Sequence, residues 1–355
     1  MATIADVARA AGVSTSTVSY VLSGKRPISA DTRRRVERSI RRLGYHPNAG
    51  ARALASSRTK VLALVVSLRA AVNVPVVMQF VATAVTSARV YDHDVLLVTK
   101  DEGPAGLRRV AGSAMVDAMI VMDIETAEPR IPLLRSLPCP AVLIGVPEDP
   151  VDLSCVDLDF RAAGALCVTH LAELGHRDIG MIGPAAEVYE RGSSYADRFL
   201  RGLTSAADHH RVHLTTQPCE PDRQAVLRCV DTLLRRPDLS ALVVHNESAL
   251  APLLSHLGQL GIRVPEDLSV VALCPDDMAE DQTVGLTSVA IPAAEVSRIA
   301  VELAMRQLAG ETARETRLLA PRLTVRASTM HPRKQGISRR RRLLSDRSGE
   351  AGTAG

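Results

Sequence analysis

The sequence predicts an α/β protein: an N-terminal all-α helix-turn-helix headpiece followed by a two-lobed core of parallel sheets. Three observations carry this. Within the first 45 residues apolar side chains recur at helical spacing around a glycine turn. From residue 61 short apolar runs alternate with helical segments, the pattern of parallel sheets covered on both faces. Charge is also segregated: residues 1–60 hold 12 Lys and Arg against 3 Asp and Glu, residues 61–330 hold 24 against 34, and residues 331–355 hold 7 against 2. A basic end on an acidic core binds a polyanion at that end and repels it elsewhere.

In the headpiece, Thr3 and Asp6 read as an N-cap and an acidic N3 residue. Ile4, Val7, Ala8 and Ala11 form one apolar stripe, and Gly12 supplies the positive φ of a tight turn. Ser14 caps a second helix with Val13 and Val18 as its hydrophobic staple. Val18, Val21 and Leu22 are expected to face inward, leaving Thr15, Ser16, Ser19 and Tyr20 outside. A third helix starts at Ser29, buries Val36, Ile40 and Leu43, and stops at Gly44. Its outer face carries Arg33, Arg34, Arg35, Arg38, Arg41 and Arg42. An isolated arginine run is usually a solvated face, but on a helix-turn-helix it implies a DNA-binding headpiece.

The run Thr3-Ile4, Asp6-Val7-Ala8, Ala11-Gly12-Val13-Ser14, Thr17-Val18-Ser19 and Val21-Leu22 resembles the headpiece of the LacI/GalR family of bacterial regulators. So do Thr32-Arg33, Leu43-Gly44-Tyr45, Pro47-Asn48, Ala51-Arg52 and Leu54. The resemblance implies that Thr15, Ser16 and Tyr20 reach base edges in the major groove. Thr3, Ser14, Thr17, Arg26 and Thr32 are then positioning contacts to phosphate. Ser19, Asn48 and Arg52 complete the expected DNA-binding set. Asn48–Ser57 is too short to be a stable helix alone. By the resemblance it is a hinge helix that pairs with its dimer mate and pushes Leu54 into the minor groove.

Strands are predicted at Val61–Val66, Val95–Thr99, Ala118–Met122, Ala141–Val146, Ile179–Ile182, Ala241–His245 and Leu268–Leu273. Helices are predicted near 75–89, 106–113, 161–174, 195–208, 223–235 and 248–260. The resemblance continues through His170-Leu171, Leu174-Gly175-His176-Arg177-Asp178-Ile179, Gly261–Val271, Leu286-Thr287 and Pro321-Arg322-Leu323. It implies a periplasmic-binding-protein-like core with a ligand cleft between lobes. The expected divisions are a headpiece at 1–47, a hinge at 48–60 and a core at 61–330 with a disordered basic tail at 331–355. Within the core, lobe 1 takes about 61–160 and 288–320, and lobe 2 about 161–287 and 321–330.

The cleft is where the sequence departs from the family. Asp197-Arg198-Phe199-Leu200-Arg201-Gly202 has one residue more than the family's Arg-x-x-Gly, and Arg198 is the candidate effector ligand. Asn246 and Glu247 stand where Asn-Asp is usual. Cys274 replaces a family Asp, with Asp276 as a possible substitute from a shifted loop. At 2% aromatic residues and no Trp, a stacked sugar platform is not obvious.

Six scattered cysteines (139, 155, 167, 219, 229 and 274) show neither a CxxC nor a disulfide pattern, and His209, His210 and His213 lack partners at metal-ligand spacing. No metal or cofactor is expected. There is no Walker motif, no Gly-x-Ser-x-Gly elbow, no signal-peptide h-region and no 18-residue apolar run, so a cytoplasmic non-enzyme is expected. The function these features imply is a homodimeric, sequence-specific DNA-binding regulator, a repressor by expectation. A small-molecule effector, a sugar or related metabolite, controls its hold on a near-palindromic operator. The alternatives are a DNA-binding regulator with a ligand-blind core, and a solute-binding protein. Leu343-Leu344 is too little for a tetramerising leucine heptad.

Overall fold

The computed structural model describes residues 2–23, 26–45, 58–69, 72–99, 103–113 and 115–333. The hinge positions Asn48, Arg52 and Leu54, and the tail from residue 334, lie outside them.

The headpiece holds α1 (Ile4–Ala11), α2 (Thr15–Ser23) and α3 (Ala30–Leu43). Its caps are those of the sequence. Thr3 Oγ1 accepts from the Asp6 amide while the Asp6 carboxylate accepts from the Thr3 amide, a closed capping box. Ser14 Oγ accepts from the Thr17 amide at 3.1 Å and Ser29 Oγ from the Thr32 amide at 3.3 Å. Gly12 and Gly44 end their helices at φ +64° and +57°, a left-handed conformation that side chains resist. Val7, Val18 and Val36 are fully buried together with Ala8, Ala11 and Tyr45. Leu22 departs from expectation. It is 37% exposed rather than inward, because the three-helix core already closes over Val18 and Val21.

The first stretch of core runs β1 (Val61–Val65), α4 (Val74–Val90), β2 (Asp94–Val98), α5 (Gly103–Gly112), β3 (Ala118–Val121), α6 (Ile131–Ser136), β4 (Ala141–Ile144) and β5 (Ser154–Leu158). The second runs α7 (Phe160–Glu173), β6 (Asp178–Gly183), α8 (Ala186–Glu190), α9 (Ser194–His210), β7 (His213–Pro218), α10 (Arg223–Leu234) and β8 (Ala241–Val244). It continues with α11 (Leu250–Gln259), β9 (Ser269–Cys274), α12 (Asp276–Glu280) and β10 (Thr287–Ala290). The chain then returns through α13 (Ala293–Leu308) and β11 (Thr316–Leu319) and ends in β12 (Leu323–Thr324).

These strands make two six-stranded sheets, ordered β11-β5-β4-β3-β1-β2 and β12-β10-β9-β8-β6-β7. Every pairing is parallel except β12 on β10. Each sheet is covered on both faces by apolar side chains, which is why central strands such as β3, β4 and β8 are apolar throughout. Ser288, Val289 and Ala290, read from sequence as the start of the return to the first lobe, instead complete β10 in the second sheet. The crossing comes at Ile291 and Pro292, where α13 begins.

His176 shows how the last segment is tied down. Its Nδ1 pairs with Ser240 Oγ at 2.8 Å, and its Nε2 lies 3.1 Å from Ser269 Oγ and 3.0 Å from the Met330 carbonyl. Burial lowers its pKa to about 4 from an ordinary 6.5. The unfolded chain therefore binds a proton that the fold refuses between those values. The stability His176 contributes is complete above pH 6.5 and is lost as pH falls towards 4. We expect His176→Asn to lower stability at pH 7. It should also flatten the acid limb of a urea-midpoint profile by up to about 1.4 kcal/mol per pH unit over that window. An unaltered slope would refute this role.

Candidate nucleic-acid interface and ligand cleft

On the headpiece, Thr15 and Ser16 are exposed at the first turn of α2, with Ser19 and Tyr20 half-exposed on its outer side. Tyr20 is absent from the buried cluster; the Arg26 guanidinium sits 5.1 Å from its ring centroid. Stacking of this kind holds both side chains at the surface. All six α3 arginines that the sequence placed outside are exposed, and among the described residues only Arg34 and Arg35 of them lie near a carboxylate, that of Asp31 at 3.8 and 3.7 Å. Thr3, Ser14, Thr17 and Thr32 spend their hydroxyls on helix caps, which leaves acceptor lone pairs and exposed edges for a further partner.

Where the chain re-enters the described region it is fastened to the first lobe. The Asp117 carboxylate accepts from the Thr59 and Lys60 amides at 2.7 and 2.8 Å and from Thr59 Oγ1 at 2.8 Å. Arg58 donates to the Leu308 carbonyl at 3.0 Å.

Between the lobes lies a cavity of about 190 Å³. It opens beyond the carboxyl ends of β1, β3, β4 and β5 on one side and of β6 and β8 on the other, as such sheets dictate. Its wall is mostly aliphatic, including Val66, Val76, Val77, Met122, Ile124, Ile144 and Ile291. The chain's few aromatic rings are concentrated here. Phe80, Phe160 and Tyr195 line the cavity beside His245, whose ring lies 4.4 Å from Phe199, 5.5 Å from Tyr195 and 6.1 Å from Phe160. These rings are not obvious from the 2% aromatic content. The low overall content concealed a local concentration. Burial drives His245 down to about 3, so the ring is neutral, and its Nδ1 has no hydrogen-bond partner among the described residues.

Of the four predicted effector residues, Asn246 and Glu247 line the cavity and Arg198 and Asp276 do not. Asn246 Nδ2 donates to the carbonyls of Cys219 at 2.8 Å and Gly183 at 3.3 Å, so its amide mainly braces the strand ends. Glu247 opens a short 3₁₀ turn, and burial pushes its carboxyl up to about 7. Arg198 stands behind the wall. Its Nη1 is 2.9 Å from Asp157 Oδ2, and Nη2 donates to the Leu158 carbonyl at 3.2 Å. Asp276 points away and accepts from Arg326 at 3.1 Å. Cys274, at the family's Asp position, is fully buried and absent from the lining.

The arginines that do reach the cavity are Arg69 and Arg191. Arg191, from the second lobe, donates to Asp123 of the first at 2.8 Å and stands 3.9 Å from Glu125. Arg69 Nε lies 3.9 Å from Asp123. The two lobes also share backbone hydrogen bonds here: Thr126 N donates to the Gly192 carbonyl at 2.7 Å and Ser194 N to the Ile124 carbonyl at 3.0 Å. Asn73 reaches Ser248 at 3.2 Å, and Gln79 reaches Asp277 at 3.1 Å. These contacts join the two lobes across the cavity. Among the described residues no group of three His, Cys, Asp or Glu could hold a metal ion, and no helix is long and apolar enough to cross a membrane.

Comparison with known proteins follows the same division. Residues 3–48 match the bacterial regulatory proteins of the lacI family, and residues 168–329 match the periplasmic binding protein-like domain. The HTH-type transcriptional regulator CelR of Thermobifida fusca is 31% identical over 342 residues, covering 92% of this chain and 98% of that protein. A solved CelR–cellobiose complex is 28% identical with a TM-score of 0.64, over 92% of this chain and 100% of that one. The Lac repressor dimer bound to operator and the anti-inducer ONPF shares the fold at a TM-score of 0.81 and 22% identity, over 93% of this chain and 99% of that one. With a helix-turn-helix matched over residues 3–48 and a relative 31% identical and aligned nearly end to end, this chain belongs to the LacI family of DNA-binding transcriptional regulators.

Proposed function

We propose that this regulator holds its operator as a homodimer and that a small metabolite bound between the lobes controls that hold. The observation that carries the reading is the cavity, whose wall is drawn from both lobes. A ligand there has different contacts in the open and closed arrangements, and so shifts their populations. Asp117 clasps Thr59 and Lys60, so movement of the first lobe is passed to the chain leading to the headpiece. In this reading Thr15, Ser16, Ser19 and Tyr20 meet base edges, the phosphate contacts are Thr3, Ser14, Thr17, Arg26 and Thr32, and Asn48, Arg52 and Leu54 serve the hinge. Likeness to CelR, solved as a cellobiose complex, supports a sugar or a related metabolite as effector. The cavity is smaller than the ~300–1,000 Å³ of drug-sized ligand sites, which favours a small molecule over a long oligosaccharide.

The test is a footprint on DNA upstream of the protein's own and neighbouring genes, with and without a metabolite panel. Protection of a near-palindrome that one metabolite removes or strengthens supports the reading. Protection indifferent to every metabolite favours a ligand-blind core.

The dimer has its own support. Helix α4 carries one charged residue in seventeen and exposes Val74 and Met78, beside edge strand β2 with Leu97 exposed. Apolar faces of this kind on an edge are normally covered. Met78→Glu is expected to weaken self-association at least tenfold in analytical ultracentrifugation. Operator affinity should fall with it, and an unchanged dimer constant would move the interface elsewhere.

A further inference from the structure

The charged groups around the cavity are unevenly committed. Arg191 is held by Asp123 at 2.8 Å, and Arg69 lies against the same carboxylate. Asp157 is held by Arg198 from behind at 2.9 Å. Glu187 stands exposed on the rim. That leaves Glu247, which lines the cavity and whose carboxyl makes no hydrogen bond or ion pair with another side chain among the described residues. Its neighbours on the wall include Tyr195, Phe160 and the neutral His245 ring, none of which can balance a negative charge.

We propose that the effector carries a protonated amine, which seats against Glu247 while its carbon body lies on Phe160, Tyr195 and the valine wall. This deepens the cleft reading above and rests on it. Glu247 is half-buried on the cavity wall and its carboxyl is raised to about 7; an ammonium seated against it would favour the charged form and pair with it. Aromatic faces attract the same cation, and aliphatic walls suit the carbon skeleton behind it. Both arginines already face carboxylates of the protein, so an anionic ligand would have to break the contacts that join the lobes. A neutral polyol would meet Glu247 by hydroxyl hydrogen bonds alone, and the matched probe pairs below separate the two cases.

The full-length protein tests this by thermal shift, since a ligand that binds only the folded state raises the melting temperature by mass action. A small-metabolite extract of cells carrying the gene is divided at neutral pH on a cation exchanger. Two matched probe pairs are run beside it, glucosamine with glucose and phenylethylamine with 2-phenylethanol. We expect the stabilising activity in the retained fraction and a larger shift from the amine of at least one pair. Glu247→Gln, neutral and of the same shape, should weaken that binding at least tenfold, with Glu247→Asp restoring part of it. Stabilising activity confined to the unretained fraction, or undiminished in Glu247→Gln, overturns the cation and leaves the cleft reading standing. No stabilising fraction, with no probe shifting the protein, overturns both.

Discussion

Replacing Gly202 by Ala is expected to destabilise the second lobe by roughly 2–3 kcal/mol, the upper range for forcing extra atoms into a packed core. Helix α9 crosses α7 so closely that a Cβ at 202 would lie 1.9 Å from the Arg161 carbonyl oxygen and 2.8 Å from its carbon. The reciprocal contact is as tight: a Cβ at Gly164 would meet the Phe199 oxygen at 2.2 Å. These are backbone atoms, so no rotamer change relieves the clash; the helices must separate, and Phe199 and Leu203 lose packing with them. Helix propensity acts the other way, favouring Ala by up to about 1 kcal/mol, and overpacking wins. Gly258→Ala in α11 is the control, because its Cβ would meet nothing within 4 Å and should stabilise slightly. Urea midpoints of the two variants moving in the same direction would refute the argument.

The second large effect is expected at Arg198. Asp157 is buried beneath the cavity, and even with Arg198 at 2.9 Å burial pushes it up to about 7. Arg198→Leu leaves a buried carboxyl with no cation, a class of change that costs about 3–5 kcal/mol when the charge is retained. Because Asp157 can take up a proton instead, the loss should be small near pH 5 and grow as pH rises past 7. The sign follows from a folded pKa above the unfolded one, whose contribution is lost with rising pH. Adding Asp157→Asn to Arg198→Leu should recover most of the loss at pH 8, as expected for two groups in one network. Equal losses at pH 5 and pH 8 would show that Arg198 acts through packing alone.

How much of this was legible in the sequence depends on whether the signal was local. Caps at Thr3, Ser14 and Ser29 and stops at Gly12 and Gly44 each need only four or five neighbouring residues, and all are in place. Strands β3, β4 and β8 are fully buried and apolar, so they stood out. Strand β5 did not, because Asp157 interrupts its run, and β7 is a polar edge strand. Helix α13 was missed although Val296, Ile299, Ala300, Leu303 and Ala304 keep helical spacing; its alanines blur the apolar face. In the cleft, spacing against a family motif drew attention to Arg198, whereas the second-lobe arginine that reaches the cavity is Arg191. Nothing in Glu190-Arg191-Gly192-Ser193 announces a ligand. Only the approach of the Asp123 loop from the other lobe turns that guanidinium inward.

The exchange of β11 into the first sheet has a consequence for synthesis. β5 pairs on one side with β4 and on the other with β11, more than 150 residues further along the chain. A nascent chain therefore carries an open strand edge in its first lobe until Thr316–Leu319 leave the ribosome, long after the headpiece has emerged. Such an edge invites mispairing with another chain, and pairings this distant in sequence form slowly. Premature termination between the two lobes would thus release a first lobe whose β5 edge has no closing strand. The exposed β5 edge, not the headpiece, is where such a fragment differs most from the finished protein.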